Sequence, residues 1–474
     1  MELFRLTAQR AREMFEIREL SPVELLDAVV ARTRFTESTV NAVTEEFLEE
    51  GYSAARESEA RFGGRGGGAP RPLEGIPLML KDEQPIAGRL AEYGSLLGRG
   101  MMASHTHPIV DRIFESGAVV HGRTATPEFS CTAVTHSKLW GVTRNPWNLH
   151  VTPGGSSGGS GAALAAGSTI LATGSDIGGS IRIPASYCGV IGFKPPFGRV
   201  PSLAPFNLDS YCADGPMARS VADVAALQNV IAGPWAEDQA SLRPASPVVA
   251  KAARLDGVRV ALCPTLGDYQ PDDAVLVNTA SVADALRALG AEVVEVTLPW
   301  RREHILETAI AHYAAVMGAS IESVVDNDSR REALLMDYSR EVVRVSAQAG
   351  DYASGLEEEV AIYRPLGEIL VEFDALLCPT VAGLGPAADD PGDDFKAMFD
   401  GLMTVPFNVI GRVPVLAIPS GIAPNGVPTG VQLVGKTYDD AMVFRIGAAV
   451  EAELSLWTSE EWWPTVSPAG ICNL

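Results

Sequence analysis

Glycine crowds into one stretch of this chain: 12 of the 45 residues from 154 to 198, against 46 of 474 overall. These glycines fall in two clusters with serine. The first is Pro153-Gly154-Gly155-Ser156-Ser157-Gly158-Gly159-Ser160-Gly161 and the second Gly174-Ser175-Asp176-Ile177-Gly178-Gly179-Ser180-Ile181-Arg182-Ile183-Pro184. Taken alone, the first cluster reads equally well as a flexible linker. It runs, however, straight into 162–166, a good helix former, and then into the apolar segment 169–173. The glycines therefore belong inside a packed unit, where backbone has to turn tightly or approach other backbone closely.

Helix and strand patterns alternate through the rest of the chain. Ser21-Pro22-Val23-Glu24 carries a capping box with proline at the first helical position, and Val23, Leu26 and Val30 recur on one face. Residues 111–116 read as helical, Gly117 stops them, and 118–121 read as a short buried strand. Over 272–289, Val275, Val282, Leu286 and Leu289 fall at helical spacing, Gly290 caps, and Val293, Val294 and Val296 favour a following strand. Further strands are expected at 76–80, 169–173, 258–262, 413–418 and 431–434, with a helix at 220–231. This alternation predicts an α/β fold around a mostly parallel or mixed sheet. The run 62–72, rich in glycine and proline, reads as a surface connection. No internal repeat or later linker follows, so one large domain is expected.

Charge and cysteine usage narrow the setting. With 37 Lys plus Arg against 59 Asp plus Glu, the net charge of −22 opposes the phosphate neutralisation that drives nucleic-acid binding. The six cysteines, at 131, 188, 212, 263, 378 and 472, form no Cys-x-x-Cys pair and predict buried thiols in a reducing compartment. Residues 1–20 lack the apolar stretch of a secretion signal, and the run 161–174 falls short of the ~18–20 residues that span a bilayer. A cytoplasmic protein without a nucleic-acid or membrane partner is the expectation.

Several chemistries compete for the glycines. A P-loop needs Lys-Ser or Lys-Thr after its last glycine, whereas Gly161 is followed by Ala162-Ala163. A dinucleotide fingerprint fails at Leu164 and lacks a preceding strand. Gly154-Gly155-Ser156-Ser157-Gly158 fits the nucleophile elbow literally, yet that fold needs a late histidine, and none follows His312. His304 and His312 sit in a charged helical stretch and are expected to be solvated or half-buried; His105 and His107 have no third metal ligand nearby. A serine nucleophile without histidine needs another base. A desolvated lysine is the chemically sensible one, because burial disfavours the ammonium form. Lys81 closes the apolar run 76–80, where a surface role is the ordinary alternative.

Lys81-Asp82 and the two glycine clusters together resemble the amidase signature family of Ser-cisSer-Lys hydrolases. The resemblance continues through Cys188-Gly189, Gly192-Phe193-Lys194-Pro195, Gly198-Arg199-Val200 and Gly215-Pro216-Met217-Ala218-Arg219-Ser220-Val221-Ala222-Asp223. Flanking echoes are Thr126-Pro127-Glu128-Phe129, Asn145-Pro146-Trp147-Asn148, Pro406-Phe407-Asn408 and Gly430-Val431-Gln432-Leu433-Val434-Gly435. It is dense over 73–235 and collinear to about 455. It implies a single large α/β domain with a mixed central β-sheet covered by helices on both faces. Within that domain, 1–72 form an N-terminal helical region, 73–235 carry the catalytic motifs, and 236–474 complete the sheet and substrate pocket.

The resemblance also implies roles. Ser180 is the nucleophile, Ser156 the bridging serine after a cis peptide, and Lys81 the terminal base. Backbone N–H groups of Ile177, Gly178, Gly179 and Ser180 form the oxyanion hole, where glycine permits a concave backbone. Asp176 and Arg182 support the loop as an ion pair, and Ser157 is a secondary hydrogen-bond partner. Neither cofactor nor metal is implied, and a homodimer through the N-terminal helices is. Ser175 stands where many relatives have threonine, Pro196 replaces a common threonine, and Arg123 and Ala125 replace frequent lysine and asparagine.

The expected reaction is hydrolysis of a small-molecule carboxylic amide, anilide or hydrazide through a serine acyl-enzyme. Phe129, Phe206, Tyr211 and Phe399 flank the motifs and are candidates both for an acyl pocket and for the core. The same motifs occur in the amidase subunit of the aminoacyl-tRNA amidotransferase, which implies a glutaminase as the alternative. A binding protein with a silent site is the third.

Overall fold

Alternation along the strands decides the architecture. Val260 and Leu262 join one core cluster while Ala261 joins another, and Leu377 parts from Leu376 and Cys378 in the same way, as Leu433 does from Val434. Successive side chains of a strand point to opposite faces, so the sheet is buried on both sides and needs a layer of helices over each. The computed structural model describes residues 2–65 and 67–466; Gly66 and Cys472 fall outside the described residues.

The sheet has eleven strands. In spatial order they are Val43–Glu46, Val119–Thr124, Pro77–Lys81, Leu171–Asp176, Ala213–Ala218, Ile191–Lys194, Val415–Ile422, Pro428–Gly435, Ala375–Pro379, Arg259–Leu262 and Glu292–Glu295. Pro77–Lys81 runs parallel to both of its neighbours, and Arg259–Leu262 does likewise, whereas the six remaining pairings are antiparallel. The sheet is thus mixed and the domain single, as expected.

Most elements lie where the patterns place them. The Ser21 hydroxyl caps Pro22–Val40 with a full capping box. Asp272 caps Asp273–Ala288 and Ser220 caps Val221–Ile231. The strand expected at 169–173 instead spans Leu171–Asp176, because Gly174, Ser175 and Asp176 continue the ladder opposite Gly215, Asp214 and Ala213. That extension carries the sheet into the second glycine cluster. A continuous helix, Arg302–Val325, contains a π-helical turn at Ala314–Gly318 and is long and apolar enough to cross a bilayer by length and composition. Its Ile305, Ala309, Tyr313 and Ile321 pack into the second core cluster.

Lys81 and Asp176 are the C-terminal residues of adjacent parallel strands. Ligands of open α/β sheets bind beyond such strand ends.

Candidate active site

Lys81 is fully buried. Its backbone N–H is donated to Thr173 Oγ1 at 2.9 Å, and its Nζ to Ser156 Oγ at 2.7 Å and Ser175 Oγ at 2.8 Å. The apolar run before it therefore delivers a buried amine to two hydroxyls, one from each glycine cluster. Ser175, the variant position, uses the hydroxyl it shares with threonine.

The bond between Gly155 and Ser156 is cis. A Cβ on Gly155 would lie 2.7 to 2.8 Å from the Val134 and Thr132 carbonyl oxygens and the Ala133 carbonyl carbon, so the first cluster is backbone packed against backbone, with no linker character. Ser157 ties this segment to the second cluster: its N–H is donated to the Ser180 carbonyl at 3.1 Å and its hydroxyl to the Ser175 carbonyl at 3.3 Å. Ser180 lies just before the helix Arg182–Cys188 and is 7% exposed. Its Oγ has no hydrogen-bond partner among the described residues. In enzymes without substrate, catalytic hydrogen bonds are commonly open and tighten in the complex.

The loop from Asp176 to Ser180 is held from beneath. Tyr313 donates its hydroxyl to the Ile177 carbonyl at 2.8 Å and Thr404 donates to the Gly178 carbonyl at 2.7 Å. With these carbonyls tied down, the N–H groups of Ile177, Gly178 and Ser180 have no acceptor among the described residues. Gly179 departs from the expected set of four, since its N–H is donated to Asp176 Oδ1 at 2.8 Å. Three N–H donors of this loop thus have no acceptor among the described residues.

Asp176 anchors the loop. Arg182 grips its carboxylate with two hydrogen bonds of 2.9 Å, and Asn408 adds a third at 2.8 Å. Burial alone would raise this carboxyl, but the Arg182 guanidinium and the Asn408 amide hold it below the ordinary range. Arg182 in turn donates to Gln432 at 2.6 Å and to Asn408 Oδ1 at 2.7 Å. The pair is a fully satisfied buried network under the oxyanion loop.

One charged neighbour of Lys81 is unexpected. Glu83 Oε1 lies 3.2 Å from Lys81 Nζ, and Ser130 donates its hydroxyl to Glu83 Oε2. Burial would push the Glu83 carboxyl up, but Lys81 and the Ser130 and Ser175 hydroxyls hold it below its ordinary value. Lys81 Nζ is thus buried against a carboxylate as well as two hydroxyls.

Two cavities meet here. A slot of ≈ 30 Å³ is bounded by Ser180, Ile177, Gly178, Tyr313 and Phe399. A larger one, ≈ 390 Å³, is bounded by Ser156, Ser175, Glu83, Asp214, Phe129 and Phe206. Ser130, Ile177 and Met317 belong to both. Neither lining contains a lysine or arginine among the described residues. No cluster of histidine, cysteine or acidic residues with metal-binding geometry occurs among the described residues.

Tyr211 belongs to neither lining. It is 1% exposed and stacked face to face on His312, with ring centroids 3.6 Å apart. His312 is buried as well, against the expectation of a solvated or half-buried side chain, because Asp209 Oδ1 lies 2.6 Å from its Nε2 and supplies the partner that burial requires. His304 is half-buried, with Glu358 Oε2 2.9 Å from its Nε2.

Sequence reasoning missed Glu83, Ser130, Tyr313 and Thr404, and gave no role to Asn408 or Gln432. For Glu83 no strand periodicity could have served as a signal, because the strand ends at Lys81 and the chain turns over 82–83, with the Gln84 N–H donated to the Lys81 carbonyl at 3.0 Å.

A family model described as Amidase matches residues 24–444. The chain belongs to the amidase signature family, hydrolases acting on carbon–nitrogen bonds. It is 33% identical to the A subunit of the glutamyl-tRNA(Gln) amidotransferase of Synechococcus sp. (strain CC9605), over 96% of this chain and 97% of that one. The structure superposes on a bacterial aryl acylamidase of the amidase signature family with a TM-score of 0.88 at 24% identity, covering 96% of this chain and 98% of the other. On 6-aminohexanoate cyclic dimer hydrolase solved with substrate the score is 0.86 at 29% identity, covering 98% and 100%.

Proposed function

We propose that this protein hydrolyses an uncharged or cationic carboxylic amide with a short acyl group and a bulky, largely apolar amine half, through an acyl-enzyme on Ser180. The observation that carries the reading is the 2.7 Å contact of the buried Lys81 amine with Ser156, beside a loop offering three free N–H groups. Ser180 Oγ attacks the amide carbonyl as its proton passes to Ser156, which gives its own to Lys81. The carbonyl oxygen gains charge against the N–H groups of Ile177, Gly178 and Ser180. Lys81 then returns a proton to Ser156, which protonates the leaving nitrogen; the C–N bond breaks and the amine departs. Water enters along the same route, loses its proton to the relay and releases the acid.

Size supports the division of the substrate. The nucleophile and oxyanion loop face a slot of ≈ 30 Å³, while the relay hydroxyl that serves the leaving nitrogen faces ≈ 390 Å³ with Phe129 and Phe206 on its wall. Short-acyl anilides fit this arrangement. The likeness to a component of an amidotransferase favours a second reading, glutaminase activity with a partner protein. Glutamine carries an α-carboxylate, however, and the larger lining presents the carboxylates of Glu83 and Asp214 while neither lining presents a lysine or arginine among the described residues, which disfavours it. The test is a turnover screen of acetanilides, bulkier anilides, hydrazides, primary amides and glutamine with wild-type and Ser180→Ala protein. Acetanilide hydrolysis abolished in Ser180→Ala is expected; glutamine as the preferred substrate, or full turnover by the variant, would overturn the reading.

A further inference from the structure

The mechanism uses Ser180, Ser156 and Lys81 but leaves Glu83 without a task. Glu83 is part of the wall of the larger cavity, the same wall to which Ser156 and Ser175 belong. Its carboxylate and the Ser156 hydroxyl lie against one nitrogen, Lys81 Nζ, at 3.2 Å and 2.7 Å. A leaving nitrogen protonated by Ser156 must sit beside that hydroxyl, so the substituents on this nitrogen extend into the cavity that Glu83 borders. This step rests on the acyl-enzyme reading above.

We propose that Glu83 is a specificity-determining residue for the amine half, accepting a hydrogen bond from a cationic nitrogen on the leaving group, so that amides of diamines are favoured over equally bulky amides of plain amines. The remainder of the wall explains why the cation must be borne on an apolar body: Phe129, Phe206, Leu203, Ile321 and Val324 surround it. Glu83 keeps acceptor capacity for such a guest, because a carboxylate has about four lone-pair sites and Lys81, Ser130 and Ser175 occupy three. Among the described residues the other carboxylate on this wall, Asp214, is already engaged by Gln84 at 2.9 Å and Ser202 at 2.9 Å, with His107 3.5 Å away. Glu83, which touches Lys81 directly, is therefore the acceptor nearer the relay. Hydrogen bonds to charged groups contribute enough for a preference of about tenfold or more.

The experiment compares acetanilides bearing an aminomethyl group at the 3- or 4-position with the isosteric ethyl compounds. Binding is measured by calorimetry to Ser180→Ala protein, and turnover with the wild type. Tighter binding of at least one aminomethyl isomer by about tenfold is expected, falling to within about twofold in Ser180→Ala/Glu83→Gln and persisting in Ser180→Ala/Asp214→Asn. The kcat/KM ratio of the same pair should collapse in Glu83→Gln even where both rates fall together through Lys81. No preference for either isomer, a preference that survives Glu83→Gln, or one lost instead in Asp214→Asn would overturn the proposal. Failure of the acyl-enzyme reading shows separately, as turnover retained by Ser180→Ala.

Discussion

Replacing Gly179 by alanine tests whether the oxyanion loop works through its shape. Gly179 adopts φ +124, and a Cβ there would lie 2.1 Å from Thr404 Oγ1 and 2.6 Å from Thr404 Cβ, where ordinary contact begins at 3.4 Å. Thr404 is not free to swing aside, since its hydroxyl holds the Gly178 carbonyl. The loop and Thr404 must therefore separate by about 1 Å or more, a displacement that costs catalysis roughly 10²-fold when it misplaces reacting groups. The backbone conformation adds about 1–3 kcal/mol of strain for any residue with a side chain. We expect Gly179→Ala to lower kcat on acetanilide by about 10²-fold or more with KM changed by less than about threefold. Adding Thr404→Gly removes the two closest atoms and leaves the Ile183 Cδ1 tip at 2.8 Å, so the double variant should lose less than the product of the single effects, a coupling of about 1 kcal/mol or more. Steady-state kinetics on the four proteins measures this. A Gly179→Ala enzyme within about threefold of wild type, or two substitutions whose effects simply multiply, would refute the steric account.

Other perturbations follow from the same contacts. Tyr313→Phe deletes the hydroxyl that holds the Ile177 carbonyl; kcat should fall about tenfold while thermal stability drops by only about 1 kcal/mol, and an unchanged kcat would show that the tether is idle. Arg182→Met leaves the Asp176 carboxylate buried without its cation and should destabilise the fold by about 3–5 kcal/mol in denaturant unfolding, a loss under about 1 kcal/mol contradicting the network's role. Burial pushes Glu451 up to about 8, so between its ordinary 4.5 and about 8 the folded chain holds a proton that the unfolded chain has lost. That contribution to stability therefore declines as pH rises through this window. The melting temperature of Glu451→Gln relative to wild type should accordingly climb from pH 4.5 to 8 and level off above; a gap that narrows would contradict it.

The relay is legible in the sequence because each member lies inside a local motif. Lys81 ends an apolar strand, and Ser156 and Ser180 sit in the two glycine clusters, but it is the family resemblance and not the spacing that implies their roles. Asp176 and Arg182 are legible for the same reason, being six residues apart in one cluster. What holds that cluster is not legible, because Tyr313, Thr404, Asn408 and Gln432 reach it from 136 to 250 residues away and only folding brings them together. Tyr211 misleads for a related reason: an aromatic residue near a motif fits a pocket as well as a core, and its stacking on His312 depends on a distant helix. Gly179 shows the limit of reading glycine as an oxyanion donor. Its absent side chain makes room for Thr404, while its N–H serves Asp176.

The central claim, that Ser180 is activated through Lys81 and Ser156, is tested most directly by the rate and position of covalent labelling. Wild-type protein is treated with an alkyl fluorophosphonate and followed by intact-mass and peptide mass spectrometry beside Lys81→Met and Ser180→Ala. One adduct on Ser180 is expected, with labelling slowed by about 10²-fold or more in Lys81→Met and absent in Ser180→Ala. An adduct on another residue, or a Lys81→Met rate equal to wild type, would contradict the account.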